Sequence, residues 1–205
     1  MSVIYFATGN KAKLEQLKYI CRKYSPKSEV VSLKHLHGEE AEYEEIGESA
    51  EEIAVQGAEY LFSKFKVPLV TEDSIIEVDS LGGRPGLRSH KYLKDNGRAG
   101  LIKELKDEEN RTARITSVVV YKDENNLKVF KNVVEGKIAK EESWREDATL
   151  WIGPVEHEFG GGFNSHFIAN SCPDKTLADM TPEEGIEYGY REKNFIELLE
   201  FLKNQ

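Results

Sequence analysis

The strongest constraint on the fold of this chain lies at its beginning, where a short apolar strand runs directly into an amphipathic helix. Val3 to Ala7 is apolar and ends at Thr8-Gly9-Asn10, and from Lys11 apolar residues recur three or four positions apart. A turn of small residues between a strand and a helix leaves backbone N–H groups free, and the helix dipole adds partial positive charge. The pattern predicts an α/β fold with an anion site at this turn.

The composition restricts what the chain can bind and where it functions. A length of 205 residues fits one domain. The net charge of -9 argues against nucleic acid or an anionic membrane as a partner, so an anionic ligand needs local donors and a metal ion. Cys21 and Cys172 form no CxxC pair, and the sequence shows no signal peptide or membrane helix. We therefore expect a cytoplasmic protein.

Periodicity and turn residues predict one mixed α/β domain over residues 1–205. The predicted strands are Glu29–Leu33, Val67–Thr71, Ile75–Val78, Thr112–Tyr121 and Leu127–Ala139. The predicted helices are one from Lys11, one after the capping box Ser49–Glu52, one around Ala99–Leu105, one after the capping box Thr181–Glu184, and a last one carrying Phe195 to Leu202. Lys34–Glu48 is expected to be mostly loop, Gly160-Gly161-Gly162 a flexible loop, and Glu141–Phe159 has no clear assignment.

The first loop offers several donors for an anion. Lys13 lies one turn into the first helix and, with Thr8 and Asn10, presents groups suited to phosphate oxygens. The alternative is a helix cap beside a solvated lysine. The residues of this loop leave both interpretations open.

A second cluster is acidic and consists of Glu44, Glu45, Glu72 and Asp73. Carboxylates at the carboxyl edge of a parallel sheet meet where such folds bind ligands, and magnesium takes one or two of them alongside substrate phosphates. Glu44 or Glu45 alone is more simply a solvated side chain. Asp73 follows an apolar strand and precedes Ser74, which favours a functional role.

Other catalytic chemistries have little support. His35-Leu36-His37 is interpreted as an exposed pair rather than a zinc site, and no GxSxG elbow is present. Neither cysteine has a catalytic signature beside it. Nucleophilic catalysis through a side chain is therefore not expected.

Taken in order, the segments resemble the inosine triphosphate pyrophosphatase family over nearly the whole chain. FATGNKAKLEQL is similar to the family's TGNxxK element, and EEIGESAEEIA to its ETGxTFxENA segment. The segment PLVTEDSIIEVDSLGGRPGLRSHKY resembles the family's DSGLxVxxLxGxPGxxSARY. The next two strands of the family are matched by RTARITSVVVY and VEGKIA. The segment DKTLADMTPEEG matches the family's KTxAEMxxEEK. The resemblance implies a mixed sheet flanked by helices, with two lobes around a substrate cleft.

The resemblance also implies the reaction, which is magnesium-dependent hydrolysis of a nucleoside triphosphate to the monophosphate and pyrophosphate. It implies phosphate binding by Thr8, Gly9, Asn10 and Lys13. Glu44 and Asp73 are the implied metal ligands, with manganese as an alternative ion, and Asp73 also activates water. A carboxylate that orients water beside cations that neutralise developing charge suits this chemistry. A homodimer is expected from the same resemblance.

Further substrate contacts are implied on the later part of the chain. Ser74 matches a substrate-contacting serine, Lys91 stands where the family's SAR motif has arginine, and Arg191 matches the arginine of its SHR motif. The candidates for contact with the base are Phe163, Asn164 and Tyr190.

The departures from the family pattern are concentrated in the base-reading half of the site. The family's GFGYDPIF is here GGGFNSHF, so its stacking aromatic is Gly161 and its acidic residue is Asn164, while the histidine of SHR is Tyr190. Two lysines of the pattern are Gly57 and Gly185. The sequence thus predicts an altered base pocket, because base discrimination rests on such polar contacts. Two alternatives stay open: hydrolysis of another phosphorylated substrate, and nucleotide binding without catalysis.

Overall fold

The computed structural model describes residues 3–44, 46–148, 152 and 161–205. The strands are β1 (Val3–Phe6), β2 (Glu29–Ser32), β3 (Leu69–Val78), β4 (Pro85–Gly86), β5 (Thr112–Lys122), β6 (Leu127–Ile138) and β7 (Phe167–Ala169). The α-helices are α1 (Lys11–Tyr24), α2 (Leu33–His37), α3 (Ala50–Phe65), α4 (Ser89–Asn96), α5 (Gly100–Glu104), α6 (Pro182–Tyr188) and α7 (Glu192–Lys203). Short 3₁₀ turns cover Gly38–Ala41, Asp79–Leu81 and Leu177–Asp179.

The strands form a mixed sheet in the order β2-β1-β3-β5-β6-β7, with β4 beside β3. β1 pairs in parallel with both β2 and β3, in a register that places Phe6 opposite Ser32 and Val70. β4 and β7 pair antiparallel with β3 and β6. The predicted mixed α/β sheet flanked by helices is confirmed.

The chain divides into two compact units. Unit 1 comprises Met1–Asp73, Ser117–Asn132 and Arg191–Gln205, and unit 2 comprises Ser74–Thr116 and Val133–Tyr190. Both contain residues from distant parts of the sequence, because the chain passes between them inside β3, β5 and β6. The assignment of residues 1–205 to one domain stays a prediction.

Each unit has its own apolar core. The core of unit 1 packs α1 and α7 with the sheet and consists of Ile4, Phe6, Leu14, Leu17, Ile20, Cys21, Val30, Val70, Val119, Tyr121, Phe130, Phe195, Leu198 and Leu199. The core of unit 2 consists of Ile76, Val78, Leu93, Leu101, Leu105, Ala113, Ile115, Ile138, Phe163, Phe167, Ala169, Leu177, Met180 and Tyr190. Within the described residues, no helix is long and apolar enough to cross a membrane.

Local signals located the helix starts well. Ser49 caps α3, with its side chain accepting from the Glu52 N–H at 3.1 Å, although the Glu52 carboxylate accepts from the Glu48 N–H rather than completing the predicted box. Thr181 and Glu184 form the predicted box at α6 in both directions, at 3.2 and 2.9 Å.

Two sequence expectations were wrong. The stretch Lys34–Glu48, predicted as mostly loop, begins within α2 and continues through the 3₁₀ turn Gly38–Ala41. A helix of five residues is too short to show a periodic pattern. The two strands predicted over Val67–Thr71 and Ile75–Val78 are instead one unbroken strand, Leu69–Val78. Polar residues inside it are compatible with a strand because Glu72 has charged partners there.

Candidate active site

The loop between β1 and α1 is fixed by its own side chains. Asn10 is the N-cap of α1, and its Oδ1 accepts from the N–H groups of Ala12 at 2.9 Å and Lys13 at 3.2 Å. The Asn10 N–H in turn donates to Thr8 Oγ1 at 3.1 Å. Asn10 therefore caps the helix, as one of the two interpretations of this loop expects, and it aligns the first turn. The positive end of the helix dipole at this loop favours an anion.

Lys13 is not a solvated lysine, because its ammonium group forms an ion pair with Glu72. Nζ lies 2.8 Å from Glu72 Oε2 and 3.3 Å from the Glu72 carbonyl oxygen. The Glu72 side chain is 0% exposed, whereas that of Lys13 is 18% exposed. The ion pair therefore holds Lys13 against Glu72, while the exposed part of the lysine side chain stays accessible to a ligand.

The other oxygen of Glu72 binds a second cation. Arg191 Nε lies 3.0 Å from Glu72 Oε1, and the Ser117 hydroxyl donates to the same oxygen at 3.2 Å. Burial by itself raises the pKa of Glu72, but the charges of Arg191 and Lys13 outweigh it and lower this pKa to about 2. Glu72 is therefore a charged, buried carboxylate that holds two cations. We call Lys13, Glu72 and Arg191 the clamp.

A shell of buried polar residues surrounds the clamp. Gln16 of α1 accepts from Arg191 at 3.4 Å and donates to Glu192 Oε1 at 2.6 Å. Asn194 of α7 donates to the Ser117 carbonyl at 3.0 Å. Burial raises the pKa of Glu192, although the Arg191 charge and hydrogen bonds from Gln16 and the backbone oppose it. These contacts fix α1 and α7 against Glu72.

The sequence interpretation missed this shell. Ser117 and its buried neighbour Thr116 directly precede the buried run Val118-Val119-Val120, so polar residues beside a buried apolar run were the signal. Gln16 and Asn194 sit beside the apolar stripes of α1 and α7. A polar residue beside an apolar stripe is ordinary, and no sequence signal distinguished these two.

Glu72 and Asp73 do not act as one acidic cluster. Side chains alternate between the faces of a strand, so Asp73 shares the face of Thr71, whose hydroxyl donates to the Ala54 carbonyl of α3 at 2.7 Å. Glu72 faces α1 and Arg191 instead. Asp73 is half-buried. The two neighbouring carboxylates therefore have different surroundings, and only Glu72 is committed to the clamp.

The remaining predicted acidic residues lie just before α3. Glu44 is exposed, and Glu45 lies outside the described residues. Within the described part of the chain, no group of three or more histidine, cysteine, aspartate or glutamate side chains is arranged to hold a metal ion. Magnesium usually takes only one or two protein carboxylates and completes its shell with water and phosphate. The hard oxygens of Asp73 and Glu44 fit that requirement.

The other predicted substrate contacts belong to unit 2. Ser74 is half-buried in β3, and Lys91 is on α4. The Lys91 side chain is 70% exposed and its ammonium group lies 2.6 Å from Asp95 Oδ2. Lys91 is therefore a surface residue with a carboxylate partner one helical turn away, and its role in substrate binding stays a prediction.

The three candidates for base contact are buried within unit 2. Phe163 and Tyr190 are 7% and 5% exposed and belong to the same apolar core. The Asn164 amide donates to the Ile152 carbonyl at 3.2 Å. Gly161 has a φ of 71°, a conformation that an aromatic residue rarely adopts. The backbone of this loop thus suits glycine where the family pattern has a stacking ring.

Gly57 is explained by a neighbouring aromatic ring. A Cβ atom added to Gly57 would lie 2.4 Å from Cε2 and Cζ of Tyr43. The half-buried Tyr43 ring therefore fills the space beside α3 where the family pattern has a lysine side chain. The glycine at position 57 therefore accommodates the ring of Tyr43. A lysine at position 57 would require Tyr43 to move.

Comparison with known proteins gives one consistent family. The sequence model of the Ham1 family matches residues 4–201. A dITP/XTP pyrophosphatase of Methanopyrus kandleri is 32% identical over 203 residues, which cover 98% of this chain and 96% of that protein. A dITP/XTP pyrophosphatase of Thermococcus kodakarensis is 34% identical over 201 residues, which cover 97% and 96%.

Solved structures agree on the fold. The Ham1 protein of Staphylococcus aureus superposes with a TM-score of 0.76 at 24% identity and covers 99% of both chains. A Ham1 protein from Coxiella burnetii superposes with a TM-score of 0.77 at 21% identity and covers 100% of both chains. At these sequence identities, the superpositions show that the fold is shared.

Proposed function

The chain belongs to the Ham1 family, and on this premise we propose that it hydrolyses nucleoside triphosphates with non-canonical bases to the monophosphate and pyrophosphate. The relatives at 32% and 34% identity, each matched over nearly its full length, are named for this activity on dITP and XTP. The function places the chain among hydrolases of nucleotide metabolism.

The observation that carries the proposal is the clamp at the start of α1. One buried carboxylate holds Lys13 and Arg191 beside a capped helix N-terminus in unit 1. Hydrolysis of a triphosphate develops negative charge on the departing pyrophosphate. Cations and N–H groups that are already fixed stabilise that charge without reorganising at the moment of reaction.

In the proposed reaction, the candidate residues bind the phosphates, activate water and stabilise the leaving pyrophosphate. The Lys13 ammonium group, the Thr8 hydroxyl and the Asn10 side-chain amide bind phosphate oxygens at the positive end of the α1 dipole, together with the backbone of Gly9. Asp73 accepts a proton from the attacking water, whose oxygen forms a bond to the α phosphorus. The anhydride bond between the α and β phosphates breaks, and the charge left on pyrophosphate is shared with the cations of the clamp.

We assign metal binding to Asp73 and Glu44, with magnesium as the ion and manganese as an alternative. The ion, when bound, supplies positive charge that a chain of net charge -9 lacks. Glu72 is excluded from this role because both of its oxygens already have cationic partners.

The remaining assignments rest on the resemblance alone. Ser74, Lys91, Phe163, Asn164 and Tyr190 are proposed to contact the substrate. A homodimer and a cytoplasmic location are proposed on the same ground.

The decisive experiment measures pyrophosphate and orthophosphate released from ITP, XTP, ATP and GTP with magnesium. We expect one pyrophosphate per monophosphate formed and no orthophosphate. Orthophosphate as the main product would show cleavage of the terminal phosphate and refute the proposed reaction. Neither binding nor turnover of any of the four nucleotides would support action on another phosphorylated substrate, and binding without any product would support a non-catalytic nucleotide-binding protein. Because of the changes at Gly161, Asn164 and Tyr190, we expect kcat/KM for ITP to exceed that for ATP by less than about a hundredfold.

A further inference from the structure

A second lysine lies against the loop at the start of α1, and it comes from α2. A methyl group placed on the Cα of Gly9 would lie 2.7 Å from Cδ of Lys34, 3.2 Å from its Cε and 3.3 Å from its Nζ. Gly9 itself is exposed. The missing side chain at Gly9 therefore leaves room for the lysine, with its ammonium group beside the loop.

The fold fixes this position. β1 and β2 are parallel with Phe6 opposite Ser32, so the residues that follow both strands leave the sheet at the same edge. The Ser32 hydroxyl donates to the Thr8 carbonyl at 2.7 Å and accepts from the His35 N–H at 3.2 Å as the N-cap of α2. The start of α2 is thus bonded directly to the loop, with Lys34 as its second residue.

The two lysines at the loop differ in how readily they can change partners. Lys13 pairs with the Glu72 carboxylate, which is 0% exposed. Lys34 forms an ion pair with Glu42, and these two side chains are 38% and 54% exposed. An exposed ion pair contributes little, and a glutamate released from it is hydrated. Removing one partner of a buried pair is costly. An arriving anion can therefore take Lys34 from Glu42, while Lys13 stays bound to Glu72.

We propose that Lys34 is a further phosphate-binding residue, which exchanges Glu42 for the polyphosphate chain of the substrate. The proposal rests on the proposed function, since that function supplies the polyphosphate. Lysine binds phosphate oxygens through charge-assisted hydrogen bonds. In this arrangement Glu42 keeps Lys34 beside the loop when the substrate is absent.

The test measures the binding of inorganic tripolyphosphate with magnesium by calorimetry. Lys34→Met keeps the aliphatic stem and removes the charge, so we expect affinity to fall about tenfold. Glu42→Gln releases Lys34 from competition, and we expect affinity to rise about twofold. The matched control is Lys18→Met on α1, because Lys18 pairs with Glu15 at a similar exposure of 34% and 38%.

The double variant Lys34→Met/Glu42→Gln should bind like Lys34→Met alone, because Glu42 acts only through Lys34. Equal affinities of the Lys34→Met and Lys18→Met variants would overturn the proposal, as would a Glu42→Gln variant that binds as weakly as Lys34→Met. Because calorimetry measures binding and the probe carries no nucleoside, the result does not depend on turnover of a nucleotide. If the protein releases pyrophosphate from no nucleotide but the variants show these changes in tripolyphosphate affinity, the proposed function is wrong and the role of Lys34 in binding phosphate still holds.

Discussion

Glu72 and Arg191 are 119 residues apart in the chain, yet Arg191 Nε lies 3.0 Å from Glu72 Oε1. Arg191 is the first residue of the last segment of unit 1, and Glu72 is one residue from the end of the first segment. Lys13 binds the other oxygen of the same carboxylate at 2.8 Å. The clamp therefore connects residues near the beginning and near the end of the chain. The stability of unit 1 and the chemistry proposed for the site depend on the same three side chains.

The first prediction concerns the cost of removing the buried charge. Glu72→Gln leaves Lys13 and Arg191 without their carboxylate, and we expect a loss of about 3–5 kcal/mol in the free energy of unfolding at pH 7. Urea unfolding measures it. The matched control is Glu192→Gln, the same change in the neighbouring shell. Burial raises the pKa of Glu192, so a neutral amide costs less there.

The difference in the free energy of unfolding between wild type and Glu72→Gln should become smaller as the pH falls. The pKa of Glu72 is about 2 in the folded protein, below the ordinary value of 4.5. The contribution of ionised Glu72 to the free energy of unfolding is fully present above pH 4.5 and is lost as the pH falls from 4.5 toward 2. The difference between wild type and Glu72→Gln should therefore narrow in that range. A difference that does not change with pH would contradict the assignment of a charged Glu72.

The second prediction concerns triphosphate affinity. Lys13→Ala removes a donor to phosphate worth roughly 1.5–3 kcal/mol, so triphosphate binding should weaken about tenfold or more. Monophosphate binding should weaken less, because fewer phosphates reach the lysine. Calorimetry with both nucleotides measures this, with Lys18→Ala on the same helix as the control. Equal weakening of both ligands would place Lys13 away from the β and γ phosphates.

The third prediction concerns catalysis. Asp73→Asn should abolish turnover in magnesium or manganese and leave the fold intact, because Asp73 is half-buried and lies outside the clamp. Pyrophosphate release measures turnover, and thermal unfolding checks the fold. The control is Asp79→Asn, a change at an aspartate that pairs with Arg114 in unit 2. Undiminished hydrolysis by the Asp73→Asn variant, or by the wild type in excess chelator, refutes the prediction.

The fourth prediction concerns acid stability of unit 2. His166 is 0% exposed, and burial together with the charges of Arg111 and Arg98 lowers its pKa from 6.5 to about 4. The unfolded chain takes up this proton below pH 6.5, whereas the folded protein does so only near pH 4. The free energy of unfolding therefore falls as the pH drops through this window, by about 2–3 kcal/mol at pH 4.5.

The matched variant is His166→Ile, the residue that the family's GFGYDPIF motif has at this position. Without a titrating group there, the variant should lose less stability than the wild type between pH 7 and pH 4.5. Urea unfolding at both pH values gives the comparison. Identical losses in the two proteins would show that His166 is not the residue responsible.

The sequence by itself determined what depends on neighbouring residues. The N-caps at Ser49 and Thr181 involve partners three residues away, so the local pattern was enough to predict them. The apolar stripes of α1 and α7 predicted their buried faces, since helical spacing fixes which residues share a face. The ordered motifs gave the family and the mixed sheet.

Only the tertiary structure decided which polar residues meet. Glu72 and Asp73 are adjacent in sequence and chemically alike, and alternation along β3 sends one to the clamp and leaves the other on the α3 face. Lys13 and Arg191 reach Glu72 across 59 and 119 residues. The roles of Ser117, Gln16 and Asn194 likewise come from packing. The local sequence pattern indicates which secondary structure a residue favours. The charge state and partners of a buried side chain depend instead on which distant segments the fold places against it.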